Sequence, residues 1–238
     1  MNPPAPARPR HGVLRTLRAY PRRSPLTLAY VGLLLLGHVW VEDWLPADRA
    51  DALRQYISTN LDNLDDHPLT ALFGSALLYD GTLTDVLSTA FGGTLITFGL
   101  GICVSLAWAE RRFGTRRAAL LLLVGHVGAT LVTALVILFA LRQGWYPESV
   151  RHASDYGISY GAQTALGFAV LALPRWARLP WAVFVFGWPL SGDAEWPGPL
   201  PDFTTIGHLV AAALGVGLAA APALTARRDA MARTVNGS

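Results

Sequence analysis

The chain has no lysine, a single cysteine, two methionines and few charges of either sign. Its 19 basic residues, all arginine, and 16 acidic ones make up 15% of 238 residues. Soluble domains average about 25% charged residues. This scarcity, together with 52% hydrophobic residues and a mean hydropathy of +0.36, excludes an ordinary soluble globule and indicates a membrane protein of several spans. The lone Cys103 excludes an intrachain disulfide. No cluster of His, Cys and Asp has ligand spacing, so no metal and no organic cofactor is implied. The missing lysine reads as a bias toward GC-rich codons rather than as chemistry. A pI near 9.3 does not imply nucleic acid here, because membrane topology accounts for the arginines.

The expected architecture is all-α: six transmembrane helices in one compact bundle, with no room for a second large domain. Residues 1–24 form a basic, Pro- and Arg-rich arm. Residues 25–222 form the transmembrane domain, and residues 223–238 a polar tail. The spacing predicts spans from about Pro25 to Val41, Val86 to Ala109, Ala118 to Leu141, Tyr156 to Leu173, Leu179 to Leu190 and Phe203 to Ala221. Between the first two, Leu53, Tyr56, Ile57 and Leu61 have helical spacing, which predicts an amphipathic helix over Ala50 to Leu61. Leu69 to Leu78 is apolar but too short to span, so it is expected to lie at the interface or to re-enter.

Arginine placement predicts the orientation. With six spans and the N-terminus inside, fifteen arginines fall on the inner side, in the arm, Arg111–Arg117, Arg175–Arg178 and the tail. Four fall outside: Arg49, Arg54, Arg142 and Arg151. The positive-inside rule then places both termini in the cytoplasm.

Two polar side chains lie at matched depth below the start of apolar stretches marked by Asp155 and Asp202. Ser159 sits in Gly157-Ile158-Ser159-Tyr160-Gly161, and His208 in Thr205-Ile206-Gly207-His208-Leu209. At about 1.5 Å per helical residue, both lie roughly 6–9 Å below those boundaries, on the outer side. A hydroxyl and an imidazole so placed can form a nucleophile–base pair inside a bilayer. The bland alternative for the first motif is packing, since Gly157 and Gly161 form a GxxxG that lets helices approach. The pentapeptide also has the form of the soluble hydrolase elbow, but a membrane span does not supply the strand–turn–helix setting that elbow needs. His208 has a bland reading too, as a histidine bonded to a carbonyl or interfacial water. Against it, Gly207, Ala211 and Gly215 recur every four residues, and Ala211 and Gly215 share the histidine's face. His38 and His126 have no such ridge and read as packing or hydrogen-bonding residues. Glu110-Arg111-Arg112-Phe113-Gly114 reads as a positive-inside stop followed by a glycine turn. A Glu–Arg pair tying that loop would be structural.

Three blocks in order resemble the rhomboid family of intramembrane serine proteases, as a divergent bacterial member: Glu110–Gly114, Gly157-x-Ser159, and His208 with Ala211 and Gly215. The resemblance covers roughly residues 68–220. It implies a serine endopeptidase of the bacterial plasma membrane, with Ser159 as nucleophile, His208 as base and a transmembrane protein as substrate. Departures accompany it. The family's His-x-x-x-Asn pair in the second span corresponds here to Thr94 and Phe98, and the Trp-Arg motif of the first outer loop is absent. Tyr160 follows the serine where glycine is usual, and its bulk is expected to narrow the oxyanion space. Gly157, Thr94 and Gln163 are the expected oxyanion or support residues. Loss of one oxyanion donor costs about 10²–10³ in rate in a soluble protease.

Three functions are therefore open: the protease, a catalytically silent relative that binds membrane partners through the same cleft, and a small transporter or channel. The missing donors favour the second, while the retained Ser and His count against it. The third lacks repeat-related broken helices. In each case the partners are the lipid bilayer and membrane proteins, not nucleic acid.

Overall fold

A computed structural model describes residues 20–191 and 194–235. Residues 1–19 of the expected basic arm and residues 236–238 of the tail lie outside the described residues. Among the described residues every regular element is helical. The main helices are α1 (Pro25–Val39), α2 (Ala47–Ile57), α3 (Leu61–Asp66), α4 (Pro68–Gly74), α5 (Thr89–Phe113), α6 (Thr115–Arg142), α7 (Ser159–Val170), α8 (Arg175–Gly187) and α9 (Phe203–Val235).

Among the described residues four segments are long and apolar enough to cross a membrane: Pro25–Trp44, Thr89–Phe113, Thr115–Arg142 and Phe203–Ala221. They make the chain an integral membrane protein. The segment expected as span four is shorter than the sequence pattern suggested, and span five, already short in the sequence, is a helix that starts earlier, at Arg175. α7 has 12 residues and α8 has 13, against about 20 for a crossing helix. α7 starts at Ser159 rather than Tyr156 because Gly157 adopts φ +106°, a left-handed conformation that interrupts a helix and suits only glycine. α9 continues beyond its apolar part to Val235, through most of the segment read as a tail.

The outer segment between α1 and α5 also differs from expectation. Ser58 turns to φ −58°, ψ 143° and ends α2 after Ile57. Asn60 then caps a new helix by accepting from the Asn63 amide at 3.0 Å. The single amphipathic helix is thus two, joined at Ser58–Asn60. The apolar run that follows forms α4 and a further turn, Ser75–Leu77.

α1 begins where an acid from another helix caps it. Glu110 is 2% exposed. Its carboxylate accepts from the Leu26 and Thr27 amides at 2.9 Å each, the Thr27 hydroxyl at 2.8 Å and the Thr115 hydroxyl at 2.9 Å. Two of these bonds satisfy orphan amides at the α1 N-terminus, and the Thr115 bond ties the same carboxylate to the start of α6. Among the described residues Glu110 forms no ion pair with its neighbouring arginines: Arg111 lies over the Tyr20 ring and Arg112 over Phe113.

α7 is the centre of the bundle, with ten of its twelve residues buried, packed against α5, α6, α8 and α9. Lipid tails are as apolar as leucine, so close packing rather than water exclusion holds such a helix. The α7–α9 contact is made by glycines facing backbone. A Cβ on Gly215 would lie 2.7 Å from the Phe168 nitrogen and closer still to the Thr164 carbonyl oxygen, and one on Gly167 would lie 2.9 Å from the Ala212 carbonyl carbon. Ala211 is fully buried in the same seam. Gly161 instead faces α6: a Cβ there would meet Leu122 at 2.8 Å and Ile158 at 2.9 Å. At Gly37 of α1 a Cβ would lie 3.2 Å from the Leu77 carbonyl oxygen.

Candidate active site

The outer segment holds the entry to α7 in place. The Asp155 carbonyl accepts from the Thr59 amide at 2.6 Å, and the Asp155 amide donates to the Ser58 hydroxyl at 2.7 Å. The Gly157 amide donates to the Ser75 carbonyl at 3.0 Å. A Cβ at Gly157 would crowd Asp80, 3.3 Å away. The turn therefore presses against Tyr79–Gly81 and delivers Ser159 as the first residue of α7.

His208 is placed by the start of α9. Asp202 caps that helix, accepting from the Thr205 amide at 2.9 Å and from the Thr205 hydroxyl at 2.6 Å. Burial acts to raise the Asp202 pKa, but these donors outweigh it and hold the carboxyl below its ordinary value. One turn into the helix, the His208 ring lies between two aromatics. Tyr160 meets it edge-on at 5.2 Å and Trp188 is tilted against it at 5.4 Å. Tyr160 reaches this position because Gly207 has no side chain: a Cβ there would fall 2.5 Å from Tyr160 Cε1 and closer still to its Cζ.

Ser159 and His208 line one cavity of about 350 Å³. Asp80, Gly93, Thr97, Asp155, Gly157 and Trp188 also line it. His208 Nε2 is buried and has no hydrogen-bond partner among the described residues, so the serine and histidine share the cavity without a bond through that nitrogen. The amides of Ser159, Tyr160 and Gly161 open α7, where no carbonyl one turn back accepts from them.

The other expected site residues have different surroundings. Thr94 is outside the cavity lining: its hydroxyl accepts from Tyr79 Oη at 2.6 Å and donates to the Thr82 carbonyl at 2.6 Å. Phe98 packs edge-on against Tyr79. Gln163 is buried and both ends of its amide are occupied, Nε2 donating to the Val185 carbonyl at 2.6 Å and Oε1 accepting from Trp188 Nε1 at 3.0 Å. Tyr160, expected to crowd the oxyanion space, is turned away between α7 and α9 and donates to Asp155 at 3.0 Å.

Sequence reading missed Thr97, Asp80 and the cavity role of Asp155. Thr97 takes the cavity-facing place because Leu95–Leu106 is wound with wide i→i+5 turns, which rotate the helix face relative to a regular count back from Glu110. Asp155 was read only as the boundary of a span. Burial pushes its carboxyl up to about 6, against the bonds from Tyr160 and Thr59 that favour ionisation. No sequence signal links Asp80 to this site, since it arrives from a loop. His126, read as a packing or hydrogen-bonding residue, has Nε2 3.1 Å from both the Ser75 hydroxyl and the Leu72 carbonyl, and so braces the same outer segment.

A helical membrane bundle with a polar cavity at the start of its central helix defines the class of this protein. The model of the family described as rhomboid-like protein matches residues 19–230, and the chain belongs to that family. No curated protein and no solved structure matches it.

Proposed function

We propose that this protein is an intramembrane serine endopeptidase that cleaves a membrane-anchored protein near the outer face, with Ser159 as nucleophile and His208 as base. One observation carries the reading: side chains from two different helices, a hydroxyl and an imidazole with an unpartnered nitrogen, line the same cavity. In this reading Ser159 Oγ attacks the scissile carbonyl while its proton passes to His208. The imidazolium then protonates the leaving amine, and water attacks the acyl-enzyme with His208 again as base. The free first-turn amides of α7 face developing negative charge at a helix N-terminus. With the Thr97 hydroxyl they take the place of the missing side-chain donors. A side-chain rotation must close the Ser–His bond when substrate binds, as catalytic bonds often tighten only in the complex. Six membrane crossings, counting α7 and α8, and cytoplasmic termini complete the proposal, supported by the arginine asymmetry.

The test is cleavage of a transmembrane substrate by purified protein in liposomes. Ser159→Ala and His208→Ala should each reduce the rate by about 10³ or more. Normal cleavage after Ser159→Ala would end the reading. A specific observation favours the second reading, a silent partner-binding protein: the hydroxyl of Thr94 and the amide of Gln163 are already occupied. Wild-type protein that binds a membrane partner but never cleaves it would select that alternative.

A further inference from the structure

A second cavity among the described residues is larger than the one holding Ser159. A groove of about 720 Å³ lies toward the other end of the bundle, lined by Phe113 of α5, Arg117, Leu120 and Val124 of α6, Phe168 of α7 and Leu218 of α9. Phe168 is about 14 Å further along α7 than Ser159, and Leu218 about 15 Å further along α9 than His208. Leu120 and Val124 are 56% and 43% exposed, so the groove opens sideways to the surroundings of the helices. Among the described residues Arg117 is its only charged lining residue, at the end where α6 emerges from its apolar run. From Arg117 to Val124 the wall runs about 10 Å along the helix axis.

Among the described residues no acid neutralises that end. Arg116 and Arg117 make no ion pair among the described residues. The nearby acid, Glu110, is committed to three donors at the start of α1 and to the Thr115 hydroxyl at the start of α6. By sequence, the segments grouped with this end are themselves rich in arginine: residues 8, 10, 15, 18, 22 and 23, and residues 227, 228 and 233. An occupant drawn from them would bring like charge to Arg116 and Arg117. The groove needs an apolar body about 10 Å long joined to an anion.

We infer that this groove is a binding site for an anionic phospholipid, with an acyl chain along Leu120, Val124, Phe168 and Leu218 and the headgroup phosphate at Arg116 and Arg117. Basic pockets between membrane helices recognise anionic headgroups in this way, and each arginine near the surface adds measurably to the attraction. The inference is independent of the proposed protease activity.

Native mass spectrometry of the full chain in neutral detergent tests it, with phosphatidylglycerol and phosphatidylcholine of identical acyl chains as probes. Wild type should retain phosphatidylglycerol about tenfold over phosphatidylcholine. The preference should fall toward one in the double variant Arg116→Gln/Arg117→Gln and stay unchanged in Arg175→Gln. Val124→Trp, which fills the groove from an exposed position, should reduce retention of both lipids. Equal retention of the two lipids by wild type, or an undiminished preference in the double variant, would overturn the site. Displacement of phosphatidylglycerol by water-soluble glycerol phosphate would also overturn it, by showing that a free phosphate suffices.

Discussion

The α7–α9 seam makes a sharp prediction from two glycines on one helix. An alanine Cβ at position 215 would lie 2.7 Å from the Phe168 nitrogen and 3.0 Å from the Thr164 carbonyl carbon. Both are backbone atoms of the central helix, so no rotamer change relieves the clash and the helices must separate by about 1 Å. Overpacking of a rigid contact costs about 1–3 kcal/mol, and a backbone clash belongs at the upper end. Two residues on, Gly217 is exposed and a Cβ there meets nothing within 4 Å. Gly217→Ala should therefore stabilise by about 0.5–1 kcal/mol through helix propensity alone. At about 2–4 °C per kcal/mol for a chain of this size, Gly215→Ala should lower Tm by about 6–12 °C in detergent while Gly217→Ala raises it slightly. Equal shifts, or tolerance of Gly215→Ala, would refute the seam.

Other substitutions test other parts of the account. Glu110→Ala leaves two buried amides at the start of α1 without their acceptor and should cost about 3 kcal/mol or more, read as a fall in Tm; a neutral effect would refute the cap. Gly37→Leu should destabilise more than Gly32→Leu, because only position 37 faces the Leu77 carbonyl while position 32 is open; thermal melts of the two variants decide it. Asp155 has a folded pKa raised to about 6 from 3.8, so its contribution to stability is full below about 4 and is lost as pH rises through 6. Tm should therefore rise on acidification across that window, and Asp155→Asn should flatten this dependence; an unchanged pH profile in the variant would refute the assignment.

Much of the fold was legible because membrane helices announce themselves. In lipid every backbone group must be satisfied within the helix, so long apolar runs such as Thr115–Arg142 carry their structure in their composition. What composition could not supply was helix length where backbone conformation intervenes, as at Gly157, or where a polar cap divides an amphipathic run, as at Asn60. Ser159 and His208 were legible from their small-residue neighbours. Their surroundings were not, for two reasons. Thr97 replaces Thr94 through a change of helical winding that leaves no mark in the residue pattern. Asp80 and Trp188 reach the cavity through tertiary contacts alone. Gln163 shows the converse: four residues after the serine it looked available as a donor, but both ends of its amide are used to hold the end of α8.

The central claim is that Ser159 is a nucleophile activated by His208. Labelling with a serine-reactive fluorophosphonate tests it without knowledge of the substrate, since an unactivated serine hydroxyl is too weak a nucleophile to react. Wild-type protein in liposomes should label, and both Ser159→Ala and His208→Ala should abolish the signal while retaining the wild-type melting profile. Wild-type protein that folds but does not label, or labelling that survives Ser159→Ala, would contradict the account.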